Sequence, residues 1–298
     1  MIDQASKLRS MVIDNKREVI EKKDDRGLKI YSIVSGKGGV GKTNFSINLA
    51  IKLQQTGKKV LVFDADIGMS NANLLLGIKT PLNLFHLLKG NALIKDVIVT
   101  GPQGVDLLSG GSDLLTIERL DYSKQQEIIE TLSNLSIYDI LIIDNGAGIS
   151  KQSLTFTIFA HEVILVTTPE PTALTDAYRV IKAISTYKLK DKVKVVVNQI
   201  HEKAYGEEAF NKLFKTSEKF LGLIIENIGF IFNDIKVNKA IMEQIPIVIR
   251  YPNALASKNI TCICENLLED KNYQYSGQHI KQLNKKLIKY LGDGYELI

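Results

Sequence analysis

Between Gly36 and Thr43 the chain reads GKGGVGKT, two lysines and a threonine set among glycines. Gly36, Gly41, Lys42 and Thr43 meet the G-x4-G-K-[ST] spacing, which serves one chemistry, the binding of a nucleoside polyphosphate. Gly38, Gly39 and Val40 complete a loop whose successive backbone N–H groups can curl round phosphate oxygens, where side chains would obstruct the turn. Lys42 is expected to reach the β- and γ-phosphates and Thr43 to offer its hydroxyl to Mg²⁺. In a chain of this composition the bare pattern would arise about once in a hundred sequences by chance. Here it also follows an apolar run, IYSIV, and precedes an apolar-striped helix, as the chemistry requires. On spacing alone Lys37 reads as a solvated surface lysine.

Three carboxylates stand where such a loop needs them. VLVFDAD ends an apolar run with Asp64 and Asp66 two residues apart, so strand alternation turns both toward one side. At the carboxyl end of a strand that side is the ligand crevice. Capping of the next element is the competing use of such aspartates. In YDILIIDNGAG, apolar residues lead to Asp144, expected to hold Mg²⁺ through water, and then to Gly146 and Gly148, expected to be mobile. VVVNQI ends in Asn198, whose amide both donates and accepts, as a purine edge demands; it can equally cap the following turn.

The elements that must position these groups follow from periodicity. KIYSIVSG, KKVLVFDAD, GVDLLSG, YDILIIDNG, EVILVTTPE, KVKVVVNQI and NIGFIFND are short runs without polar alternation, which marks strands buried on both faces. Helical patterns between them, such as 44–56 and 175–187, supply right-handed crossovers. The expected fold is a doubly wound α/β domain with a mostly parallel sheet of the P-loop nucleotide-hydrolase type over residues 27–272. It is flanked by a polar helix and linker at 1–26 and a basic tail at 273–298.

The chain has 298 residues, 45% of them apolar and 24% charged, with a net charge of +5. That apolar content is ample for a core and excludes global disorder. No apolar run approaches a membrane span, and the opening residues lack the apolar stretch of a secretory signal. Two cysteines, Cys262 and Cys264, do not make a disulfide framework, which fits a reducing cytoplasm. No 20–50-residue repeat is present.

With Lys37 included, KGGVGKT resembles the deviant phosphate loop of the MinD/ParA family of P-loop ATPases. The resemblance implies ATP and Mg²⁺ as ligands and an ATP-bound sandwich homodimer in which Lys37 reaches the partner's nucleotide. It places Asp64 near the Mg²⁺ water shell, sets Asp66 to position the attacking water, and gives Asn198 to adenine. It puts Glu170 and Asp176, in TTPEPTALTDAY, at the dimer partner, and groups Glu170 with the residues that bind the nucleotide. Phe232 and Asn233 fall at the adenine pocket wall, although IGFIFND lacks the family's usual proline. DNGAG likewise lacks the proline of the usual D-x-P-A-G segment, a departure that bears on the rigidity of that segment.

Two tails narrow the resemblance. DQASKLR, residues 3–9, is similar to a motif preceding the ATPase domain in the FlhG family, MinD-like regulators of flagellar number and placement. That likeness implies engagement of the GTPase FlhF by residues 3–9, with flagellar C-ring proteins as further candidate partners. Residues 278–291 carry Ile280, Leu283, Leu287, Ile288 and Leu291 at helical spacing, with Lys281, Lys285, Lys286 and Lys289 to the sides. Such a helix can lie on an anionic bilayer or pack on its own domain; the family resemblance favours the bilayer, and hence a cytoplasmic protein attached peripherally to the inner face of the cell membrane. Nucleic acid is not an expected partner, since basic residues do not cluster outside the tail. A division-site MinD is the nearest alternative, although it starts almost at its first strand. An iron–sulfur carrier would need cysteine ligands, and Cys262 and Cys264 at i, i+2 on a helix point apart. A binding module in which ATP is structural is the remaining alternative.

Overall fold

A computed structural model describes residues 27–66, 71–111, 127–128, 130–132, 135–269 and 283. The expected N-terminal helix and FlhF motif, and all of the amphipathic tail but Leu283, lie outside the described residues. Among these residues eight strands form one sheet in the order β3-β4-β2-β5-β1-β6-β7-β8. They are β1 (Lys29–Ser35), β2 (Val60–Ala65), β3 (Ile98–Thr100), β4 (Asp106–Ser109), β5 (Ile140–Ala147), β6 (Glu162–Thr167), β7 (Lys192–Ile200) and β8 (Ile224–Phe232). All neighbouring pairs are parallel except β3–β4. The expected doubly wound, mostly parallel sheet is therefore present. The short antiparallel β3 was not legible: its three residues are half-buried to exposed, and so is the edge they occupy.

Side chains alternate across this sheet and divide the core into two layers. From β1 and β5, Ile30, Val34, Leu141 and Ile143 enter one layer; Tyr31, Ile33, Ile140 and Ile142 enter the other. The second layer is covered by helix α1 (Lys42–Gln55) through Phe45, Ile47, Leu49, Ala50, Ile51 and Leu53. By the same parity, Asp64 and Asp144 follow Val62 and Ile142 onto the α1 face, and their Cα atoms are direct register partners on β2 and β5.

Five further helices matter for the site. Short α2 (Ala72–Leu76) follows β2; α3 (Leu84–Leu88) and α4 (Ile94–Val97) come before β3. Helix α5 (Lys151–Phe159) starts on a reciprocal cap between Ser150 and Ser153. Helix α6 (Pro171–Thr186) begins four residues before the expected start, since Pro171 at the first helical position has no N–H to leave unpaired. α7 (Lys203–Leu221), α8 (Ile235–Met242), α9 (Ile247–Arg250) and α10 (Leu255–Glu269) follow. Helix α10 runs antiparallel to β8: Asn259 accepts from Phe232 N–H, Ile263 packs where Gly229 lacks a Cβ, and Asn266 donates to Ile228 C=O. Its last turn therefore heads toward the amino end of the sheet. No helix among the described residues is long and apolar enough to cross a membrane.

Candidate functional site

The strand order puts the carboxyl ends of β2, β5 and β1 side by side, which gathers the sequence-separated groups into one crevice. The loop after β1 turns into α1 through Gly41, whose left-handed backbone (φ 85°) ends directly on Lys42. Gly39 is also left-handed (φ 81°), with open space around it and around Gly38. Gly36 has a different reason to be glycine. A Cβ there would lie 2.2 Å from the backbone carbonyl carbon of Asp176, so the loop starts in contact with α6.

Lys42 is buried, and its Nζ donates to Asp144 Oδ1 at 2.8 Å and lies 3.8 Å from Asp66 Oδ2. Thr43 Oγ1 is 3.4 Å from the same ammonium. Ser46, one turn into α1, donates to Asp144 Oδ1 at 2.8 Å. Nothing near Ser46 in the chain points to this role: 98 positions separate it from Asp144, and a serine inside a helix is usually inert.

Asp64 holds backbone rather than side chains. Its Oδ1 accepts from Asp66 N–H at 3.1 Å and its Oδ2 from Ala72 N–H at 3.3 Å. Burial first, and the neighbouring Asp144 second, push its carboxyl up to about 7, against the pull of those N–H groups and Lys42. Asp66 is also raised, chiefly by burial and opposed by Lys42. Asp144 Oδ2 is buried with no hydrogen-bond partner among the described residues. Buried carboxylates crowded together, one oxygen of them unpaired, leave negative charge that a hard cation would neutralise. The donor set is all oxygen, which suits Mg²⁺. The residues present therefore fit the ion, with Thr43 and Asp144 able to face it and Asp64 bracing from behind.

Asn198 and Gln199, at the end of β7, grip the loop from the other side. Asn198 Nδ2 donates to Val40 C=O at 2.8 Å, and its Oδ1 accepts from Gln199 N–H. Gln199, in a left-handed conformation (φ 57°), donates to Gly39 C=O at 3.2 Å. A Cβ on Gly41 would meet Asn198 Nδ2 at 2.4 Å. The asparagine expected to read adenine is thus first a brace of the phosphate loop, with one N–H left for the cleft beside it. That cleft, about 440 Å³, is bounded by Gly41, Phe45, Asn198, Phe232, Asn233 and Ile241 among others. Its size and mixed lining suit a base and sugar. Phe232 and Asn233, expected at the adenine pocket wall, line this cleft.

Two expected residues lie apart from it. Lys37 points out of the loop: its Nζ is 3.0 Å from both carboxylate oxygens of Glu170 and 2.9 Å from Thr172 Oγ1. Glu170 does not line the nucleotide cleft. It borders a separate cleft of about 300 Å³ with Leu174, Gln199, His201 and Tyr205, and Lys37 holds its carboxyl below the usual range. Gly146, expected to be mobile, lies inside β5, which pairs with the loop's edge through Ala147 opposite Ser35. Cys262 is exposed and Cys264 buried, and burial pushes the Cys264 thiol up to about 11, the setting of an inert core residue. No cluster of three or more potential metal-binding His, Cys, Asp or Glu occurs among the described residues.

Comparison with known proteins agrees with this geometry. Residues 31–251 match the family described as the CobQ/CobB/MinD/ParA nucleotide binding domain. The flagellum site-determining protein YlxH of Helicobacter pylori is 34% identical over 298 residues, covering 98% of this chain and 100% of that protein. The antiactivator FleN of Pseudomonas aeruginosa is 32% identical over 241 residues, 80% of this chain and 86% of that protein. Among solved structures, the septum site-determining protein MinD of Pyrococcus horikoshii OT3, complexed with Mg-ADP, superposes with a TM-score of 0.67 at 29% identity, covering 82% of this chain and 96% of that one.

Proposed function

Since the chain belongs to the CobQ/CobB/MinD/ParA nucleotide-binding family, and its relatives include proteins named for flagellar roles, we propose that it is an ATP-hydrolysing switch acting in flagellar number or placement. ATP closes two copies into a sandwich, and hydrolysis parts them. The observation that carries this reading is Lys37. A lysine at the second position of a phosphate loop has its own phosphates within reach, yet its ammonium is turned outward onto Glu170 and Thr172 at the surface. A cation so placed can be handed to a second subunit's nucleotide, and Glu170 holds it extended until then.

In this reading the N–H groups of residues 36–43 and Lys42 hold the phosphates, and the cleft by Asn198 and Phe232 takes the base. Thr43 and Asp144 hold Mg²⁺ directly or through water, and the ion, when bound, offsets charge on the phosphate oxygens. Lys42, now on Asp144, swings onto phosphate, and Ser46 keeps Asp144 in place once the lysine leaves. Asp66, at the mouth of the crevice, orients the attacking water. Little covalent chemistry is asked of the protein, because phosphoryl transfer is catalysed mainly by positioning and charge stabilisation.

Because each site lacks a cation until a partner arrives, turnover per subunit is expected to rise with protein concentration and fall on dilution below the dimer dissociation constant. Steady-state ATPase assays over a hundredfold range of protein, read beside light scattering with a non-hydrolysable ATP analogue and Mg²⁺, test this. A constant specific activity, or a monomer under saturating analogue, removes the sandwich.

The outer segments complete the proposal: residues 27–272 form the ATPase domain, residues 3–9 engage FlhF, and residues 278–291 bind anionic lipid on the inner face of the cell membrane. Four lysines at about 1 kcal/mol each near an anionic surface are enough to reinforce a modest apolar face. Truncation at Gln278 is expected to abolish sedimentation with phosphatidylglycerol vesicles and leave nucleotide binding unchanged. Continued co-sedimentation of the truncated protein would place lipid binding elsewhere.

A further inference from the structure

The peptide unit joining Ala65 to Asp66 is held at both ends by side chains. Its N–H donates to Asp64 Oδ1 at 3.1 Å. Its carbonyl oxygen, on Ala65, accepts from Gln152 Nε2 at 3.3 Å. Gln152 lies in the first turn of α5, on the segment that follows Asp144, and 87 positions separate it from Ala65. It is 5% exposed. A glutamine buried this far gives up rotamer freedom and hydration, and its Oε1 finds no partner among the described residues. That cost is unexplained if the side chain merely fills space, since leucine or methionine would fill it without penalty. On the same side, Gly146 lets the two segments close together: a Cβ there would stand 3.2 Å from Asp66 Oδ1.

We propose that Gln152 is a positioning residue for hydrolysis, fixing the plane of the Ala65–Asp66 peptide and with it the direction of the Asp66 carboxylate. The proposal rests on the reading of Asp66 as the group that orients water. Rotation of a peptide plane changes φ of the next residue, and with it swings Cβ and everything beyond. Asp64 alone holds one end and leaves the plane free to pivot about that hydrogen bond. Gln152 supplies the second point, and supplies it from the segment carrying Asp144. The metal-facing segment and the water-orienting residue are thereby set against each other through one buried amide. Misplacement by about an ångström at a reacting group costs up to about 100-fold in rate, so a loosened plane reads out in kcat.

Gln152→Met keeps the bulk and removes the donor; Gln152→Asn keeps the amide on a stem too short to reach. Both are expected to lower kcat for ATP about 10-fold or more, with KM and analogue-driven dimerisation within twofold of wild type. A role in packing alone would move the melting temperature and spare kcat, and would separate Met, which packs, from Asn, which does not. In an Asp66→Ala background the same Gln152 substitutions are expected to leave the residual turnover unchanged. Wild-type kcat in a folded Gln152→Met protein overturns the proposal, as does a full additional loss in the Asp66→Ala background. If Asp66→Ala by itself leaves turnover intact, the assignment of Asp66 fails first, and that outcome is visible before any Gln152 variant is read.

Discussion

Asp66→Ala is expected to lower ATP turnover about 10²- to 10⁴-fold, the range lost when a positioned proton-accepting or water-orienting group is removed. The fold should tolerate the change. Asp66 is about a quarter exposed, makes its ion pair with Lys42 only at 3.8 Å, and contributes its N–H, not its carboxylate, to the bond with Asp64. Binding should survive as well, because Lys42 and the loop's N–H groups, which hold the phosphates in this reading, are untouched, and Ser46 still donates to Asp144 at 2.8 Å. The expected result is a protein that closes on ATP and Mg²⁺ and stays closed. A mixing experiment reads it: variant dimers formed with ATP should persist as the wild type decays to monomers. Unchanged turnover would show that another group orients the water, and the site would have to be redrawn around it.

The second large effect concerns a methyl group. Gly36→Ala places a Cβ 2.2 Å from the backbone of Asp176 and 2.6 Å from Ala177 N, and neither can step aside without moving α6. Overpacking of this kind costs about 1–3 kcal/mol and sometimes more. For a protein of this size that is a fall in melting temperature of roughly 3–10 °C. The strain would fall on the junction between the phosphate loop and the helix that follows Glu170, so ATP affinity should drop with stability. Gly38→Ala is the internal control: no atom lies within 4 Å of its added Cβ, and the melting temperature of the ligand-free protein should hold within about 2 °C. Equal melting curves for the two variants would mean that the loop does not pack on α6 in solution.

What the sequence disclosed and what it concealed divide along chain distance. The loop, the strands leading to Asp64 and Asp144, and the doubly wound fold class were legible because each rests on local patterns: contiguous apolar runs, glycine spacing, a carboxylate at a strand end. The flagellar resemblance rested on short motifs, and the relatives of this chain bear it out. Ser46, Gln152 and Gln199 were not legible. Each is an ordinary polar residue whose meaning lies in a partner 98, 87 or 160 positions away. Asn198 was singled out for a base, and its nearer duty to Val40 could not be read before β7 and the loop were seen together. Glu170 was grouped with the nucleotide because its motif is familiar, but its side chain belongs to Lys37. Gly146 was expected to be mobile as a glycine after Asp144, and the strand runs on through it.

Asn259 of α10 sits against Phe232 beside the nucleotide cleft, and the helix then runs on to Glu269, passing Ile228 on its way toward the amino end of β8. At 1.5 Å per residue that run is about 15 Å. Glu269 therefore heads away from the pole that holds fuel. A molecule moored by its rear end would present its catalytic mouth outward, free to meet a twin moored alongside. Helix α10 packs on α1, which starts at Lys42, as well as on β8, so a shift of the phosphate loop has two routes to that end.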